Sequence, residues 1–196
     1  MILFTNTTSP FARIVRILFI EYGIEYQEHI VDPWADDNTF LATSPAGKVP
    51  ALKLNSGENI IHSLFIIKWL FENHPQISIK TEPHKAGLAF SALEALVDII
   101  IGRHVLSDFK SSPVGQRRCR TVRNILPLLE EAYADGVASE LTLADIITVV
   151  LIDAVNFRFP EDKWLTETPR LNALSERLNQ RESFAKTKPV LIPETI

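Results

Sequence analysis

The chain has 196 residues, of which 46% are hydrophobic and 22% charged, a balance that supports a packed core and excludes general disorder. Lys plus Arg total 20 against 24 for Asp plus Glu, a formal charge of −4; a nucleic-acid binder that works by phosphate neutralisation shows the opposite sign. One cysteine, Cys119, excludes an intramolecular disulfide and a Cys-rich metal site.

The opening Met1-Ile-Leu-Phe-Thr has no basic segment and no small-residue cleavage site, so it does not read as a signal peptide. No apolar run approaches the roughly 20 residues of a bilayer span. The richest stretch, Ile146 to Val155, contains Asp153. The expectation is a cytoplasmic protein with no membrane partner.

Ile2 to Thr5 is a short apolar strand. Ser9-Pro10 then supplies a side-chain N-cap and a proline at the first helical position. Phe11 to Tyr22 places Ile14, Val15, Leu18 and Phe19 at helical spacing, and Gly23 stops the run. Glu25 to Val31 reads as a second strand, followed by a polar segment from Asp32 to Asn38 around Trp34. Val49 to Leu54 is a third strand entered through Pro50, Asn55-Ser56-Gly57 is a turn, and Asn59 to Ile61 is a very short fourth strand. Ser63 opens a helix running to about Asn73. The order is β-α-β-α-β-β-α, with a parallel pair at its start and an antiparallel hairpin at its edge.

Pro75 to Pro83 reads as a linker between residues 1–75 and 84–196. Beyond it only helical periodicity is convincing. Helices are expected over Gly87 to Phe109, Pro113 to Tyr133, Thr142 to Asn156 and from Thr168-Pro169 to about Arg181. The third is apolar nearly all round, which places it at the centre of a bundle. The fold class expected is an α/β thioredoxin-like domain followed by an all-helical one.

In redox members of the thioredoxin plan, a Cys-x-x-Cys opens the first helix. Ser9-Pro10-Phe11-Ala12 stands there instead, so dithiol–disulfide exchange is excluded. A serine hydroxyl at a helix N-terminus either caps the helix or stabilises a ligand thiolate beside the backbone N–H groups. Ser44-Pro45-Ala46-Gly47-Lys48-Val49-Pro50 enters the third strand, and a cis Val49-Pro50 bond would leave the Val49 backbone open to an extended peptide ligand. His62-Ser63 precedes a helix, where Ser63 is either a cap or part of a carboxylate site. Thr142-Leu143-Ala144-Asp145 is a capping box, a structural feature.

Taken together, Ser9-Pro10-Phe11 with Arg13, the Gly47-Lys48-Val49-Pro50 turn, His62-Ser63 and the Thr142–Asp145 box resemble a cytosolic-type glutathione S-transferase. The Ser-Pro-Phe start is most similar to bacterial members and to serine-using classes. That resemblance implies a transferase that conjugates the glutathione thiolate to a small hydrophobic electrophile. It assigns Ser9 to the glutathione sulfur, Val49 with a cis Pro50 to the cysteinyl backbone, Lys48 to the tripeptide, and Ser63 to the γ-glutamyl carboxylate. It also implies a homodimer, glutathione as co-substrate, and no metal or prosthetic group. The family usually carries an acid where this chain has His62, and a neutral histidine cannot supply a fixed charge to the γ-glutamyl ammonium. His62 is itself a candidate glutathione-binding residue, able to accept one hydrogen bond, with the alternative that the γ-glutamyl end is held differently.

Phe11, Trp34, His104 and Phe109 are candidates for the lining of the second substrate's pocket, with ordinary core packing as the competing reading. A glutathione-dependent isomerase or dehalogenase would share the glutathione residues. An interaction protein that had lost glutathione binding would be consistent with His62. Arg117, Arg118, Arg120 and Arg123 spread over more than one helix face and read as a solvated surface with ion pairs. Cys119, among them, is placed where its pKa can be depressed, yet it reads as a non-catalytic thiol.

Overall fold

The computed structural model describes residues 1–134, 136, 140–165 and 167–191. Its contacts divide the chain into two units, Met1–Ser78 joined by the C-terminal residues from Glu182, and Ile79–Arg181.

The first unit runs β1 (Ile2–Thr5), α1 (Pro10–Glu21), β2 (Gln27–Ile30), α2 (Asn38–Thr43), β3 (Ala51–Lys53), β4 (Asn59–Ile61) and α3 (Ser63–Asn73). The four strands lie in the order β2-β1-β3-β4, with β1 parallel to β2 and both pairs formed by β3 antiparallel. Alternation along the strands sorts the core into two faces. Phe4 and Ala51 are register partners and pack with Val31 against Phe40 of α2. Leu3 and Leu52, also partners and both fully buried, point to the opposite face, which the buried stripes of α1 and α3 cover. The polar segment expected after β2 holds the start of α2, because the Asp37 side chain accepts the Phe40 N–H at 2.7 Å and buries Phe40.

The second unit contains α4 (Pro83–Val105), α5 (Pro113–Ala132), α6 (Leu143–Arg158) and α7 (Pro169–Leu178). The first of these starts four residues before the expected Gly87, at a proline suited to a first helical turn. It also ends before Phe109, since the chain turns out at Leu106 and a single 3-10 turn, Phe109–Ser111, follows. The Phe109 ring lies over Gly102, where any Cβ would come within 2.5 Å of it. Helix α6 is buried from Leu143 through Ile152 and again at Ala154 and Val155, the central position its sequence predicts. Its capping box is formed: Thr142 Oγ1 accepts the Asp145 N–H at 3.1 Å, and Asp145 Oδ2 accepts the Thr142 N–H at 3.0 Å. The other carboxylate oxygen of Asp145 accepts the buried Tyr133 hydroxyl at 2.9 Å. Burial, and then the Asp145 charge, push that phenol well above its ordinary pKa.

The stretch expected as one helix to Arg181 is broken after Leu178, and α8 (Glu182–Lys186) follows. Instead of extending the helical unit to the C-terminus, α8 packs in the first unit on α1. Buried Arg13 explains this. Its guanidinium donates to the Phe184 carbonyl and to Thr187 Oγ1, both at 3.4 Å, and Ser183 donates to Glu21. Among the described residues no helix is long and apolar enough to cross a membrane.

Candidate functional site

Three loops leave the sheet at one end. Phe4 pairs with Ala51 and Ala51 with Ile61, so the C-terminal end of β1, the start of β3 and the C-terminal end of β4 are neighbours. Each of these ends leads directly into one of the sequence motifs.

The β1–α1 loop is held by Asn6, whose Oδ1 accepts the Thr8 N–H at 3.0 Å and hydroxyl at 2.8 Å while Nδ2 donates to the Val31 carbonyl at 3.0 Å. This brings Ser9 to the N-cap of α1, with extended backbone angles, and its Oγ accepts the Ala12 N–H at 3.3 Å. The cap uses an oxygen lone pair. The hydroxyl proton has no acceptor among the described residues, so capping and donation to a ligand are compatible in one side chain. Asn6 was passed over in the sequence. An asparagine two residues before a threonine, just after a strand, is the Asx-turn pattern that would have marked it.

At the start of β3 the Val49-Pro50 peptide bond is cis. Ser44 pins the turn before it, donating from Oγ to the Lys48 carbonyl at 2.8 Å and accepting the Lys48 N–H at 3.4 Å. Gly47 lies at φ +62°, a conformation L side chains rarely adopt. Lys48 is exposed and Pro50 buried; half-buried Val49 packs against the Phe4 cluster. Val49 gives neither its N–H nor its carbonyl to a turn, loop or cap bond among the described residues.

The cap of α3 is His62, not Ser63. His62 sits at φ 76° and its Nδ1 accepts the Leu64 N–H at 3.4 Å, which makes Ser63 the first helical residue. The Ser63 side chain is buried, and its hydroxyl forms no hydrogen bond among the described residues. The His62 ring itself is exposed, edge-on to Phe65.

The four aromatic candidates divide between the units. In the first, Phe11 is half-buried at the start of α1, and Trp34 is exposed in the turn after β2. In the second, Phe109 packs on Gly102, while His104 lines a cleft of about 280 Å³ with Ile100, Arg103, Phe157 and Arg158. Cys119 is buried. Burial raises its thiol pKa, opposing and outweighing the lowering by Lys110 and Arg123, so the depression its basic neighbours allow does not occur. Of the arginines beside it, Arg118 pairs with Asp98 at 2.8 Å.

A model of the glutathione S-transferase N-terminal domain matches residues 3–80. The chain is 31% identical over 193 residues to the uncharacterized GST-like protein YibF of Escherichia coli (strain K12), covering 93% of this chain and 95% of that protein. It belongs to the glutathione S-transferase family. Glutathione S-transferase DHAR2 of Arabidopsis thaliana is 28% identical over 91% of this chain and 83% of its own length. Among solved structures, a glutathione S-transferase of Methylobacterium radiotolerans in complex with glutathione sulfonate superposes with a TM-score of 0.88 at 28% identity, over 100% of this chain and 97% of that one. A glutathione transferase family member from Pseudomonas fluorescens, with bound glutathione, follows at 0.81 and 25%, over 97% of this chain and 99% of that one. Within this family the first unit is the thioredoxin-like domain, with its mixed four-stranded sheet.

Proposed function

We propose that the chain is a glutathione S-transferase that activates the glutathione thiol at Ser9 and joins its sulfur to a small electrophile with an apolar body. The observation that carries this reading is the convergence of three open polar groups on one end of the sheet. These are the Ser9 hydroxyl proton, the Val49 backbone and the Ser63 hydroxyl.

A tripeptide laid along that edge pairs its cysteinyl backbone with Val49 as an added strand. Its γ-glutamyl carboxylate meets Ser63 at the N-terminus of α3, where the first N–H groups and the helix dipole favour an anion. Lys48, exposed beside the turn, is placed to offer a charge to the far carboxylate. The sulfur comes to Ser9, whose hydroxyl donates to it at the positive end of α1. Stabilising the thiolate there lowers the thiol pKa from its usual value near 8.5 and raises the fraction of nucleophile at neutral pH. The thiol proton leaves to solvent. The thiolate then forms a carbon–sulfur bond, and in a substitution the leaving group departs with its bonding pair. The protein supplies activation and proximity and forms no covalent intermediate. In this reading the working molecule is a cytoplasmic homodimer.

Ser9→Ala tests the assignment. Conjugation should fall by about 10²-fold, the scale for removing one donor from a developing or stabilised anion, while glutathione still binds. Ultraviolet difference spectra of the bound thiolate should show its pKa moving back toward the free value. Unchanged conjugation would remove Ser9 from the mechanism. Saturable glutathione binding without conjugation of any electrophile, but with isomerisation of an unsaturated acid, would favour a glutathione-dependent isomerase. No binding at all would leave an interaction protein.

A further inference from the structure

The cleft beside His104 is built from the last turns of α4 and α6, and it is strongly one-signed. Arg103 lies on α4 and Arg158 on α6, and both line the same opening with Ile100, His104 and Phe157. No carboxylate of the described residues lies within ion-pair distance of either guanidinium. Arg103 stacks over the Phe159 ring at 5.1 Å and Arg158 over the Phe157 ring at 5.0 Å. Asp162 is taken by Lys110.

Arg158 differs in this from the other arginines with a buried Nε. Arg16 and Arg118 each have a carboxylate oxygen within 2.8 Å, whereas the Nε of Arg158 has no partner. Burial, and then repulsion from Arg103, press the Arg158 guanidinium below its ordinary pKa. Helix dipoles favour cations at helix C-termini. A dipole, however, accounts for one exposed charge at each end. It leaves two forked donors facing one cavity with nothing to bind. Ile100 and Phe157 supply an apolar wall beside them. At about 280 Å³ the space is near the lower end for small-molecule sites.

We propose that this cleft is an anion subsite that takes the carboxylate of a small, flat organic acid.

The test uses the full chain and a matched pair of probes, a chloronitrobenzoate and the corresponding neutral chloronitrobenzamide. Calorimetric titration without glutathione should show the acid binding at least about 10-fold more tightly than the amide, the scale of one or two charge-assisted hydrogen bonds. Arg103→Gln, at an exposed position, and Arg158→Lys, which keeps the charge but loses the fork, should each weaken acid binding several-fold and leave amide binding within about 2-fold. Equal binding of acid and amide, or acid binding unchanged in both variants, would overturn the subsite.

Discussion

His62 holds an unusual backbone and an unusual place. A non-glycine residue at φ 76° is strained, and here it also lends its ring nitrogen to the first turn of α3. Its capping bond, at 3.4 Å, is long. Glutamate at this position would keep an acceptor for the Leu64 N–H and add a full negative charge beside the helix start. If the γ-glutamyl end of glutathione lies here, its ammonium gains an ion pair that histidine cannot offer at neutral pH. His62→Glu should therefore tighten glutathione binding by roughly 5-fold, the scale of a partly exposed pair, measured by calorimetric titration. Weaker or unchanged binding would mean that the γ-glutamyl end is held elsewhere. Cys119 makes the complementary point at the same scale. A run of arginines allows a depressed thiol pKa, but burial dominates the charges around it and raises that pKa instead.

At the scale of elements, one helix start in the second unit is closed by a group from another helix. Thr168 makes no side-chain cap bond to α7. The nearly buried Glu130 carboxylate of α5 does so instead, accepting the Arg170 N–H at 3.0 Å and the Leu171 N–H at 3.1 Å. One side chain thus satisfies two of the open N–H donors at that helix start, where Pro169 has none to offer, and places its charge at the positive end of the dipole. Glu130→Ala should lower stability by about 2 kcal/mol, read as a shift in the denaturant midpoint, with faster hydrogen exchange at the start of α7. An effect under about 0.5 kcal/mol would mean that solvent replaces the carboxylate without loss. The capping box of α6 is different in kind. Its two partners lie three positions apart in the chain, so it was legible in advance.

At the scale of the whole molecule, the chain does not split at one point into a front and a back half. Helix α8 returns to the first unit, and Phe184, fully buried, is one of that unit's core side chains. Phe184→Ala should cost about 3–5 kcal/mol. Hydrogen exchange should accelerate in β1 and α1, while α6, whose surroundings lie in the other unit, keeps its protection. Equal acceleration in both units would show that they unfold as one cooperative body.

Local pattern was enough for most of the elements and for the motifs. Strand alternation, Ser9-Pro10, the Gly47–Pro50 turn, the apolar run of α6 and the Thr142–Asp145 box all depend on residues within a few positions of one another, and local propensity, capping and turn chemistry read such spacings directly. Tertiary structure decided the rest. The exchange of roles between His62 and Ser63 depends on a backbone angle that no residue type announces. The return of α8 follows from a buried guanidinium meeting the Phe184 carbonyl and the Thr187 hydroxyl more than 170 positions away. Two arginines separated by 55 positions form one cleft only because α4 and α6 pack side by side. Each of these is a contact between distant parts of the chain, set by how the buried faces fit together, and a one-dimensional pattern carries no record of that fit.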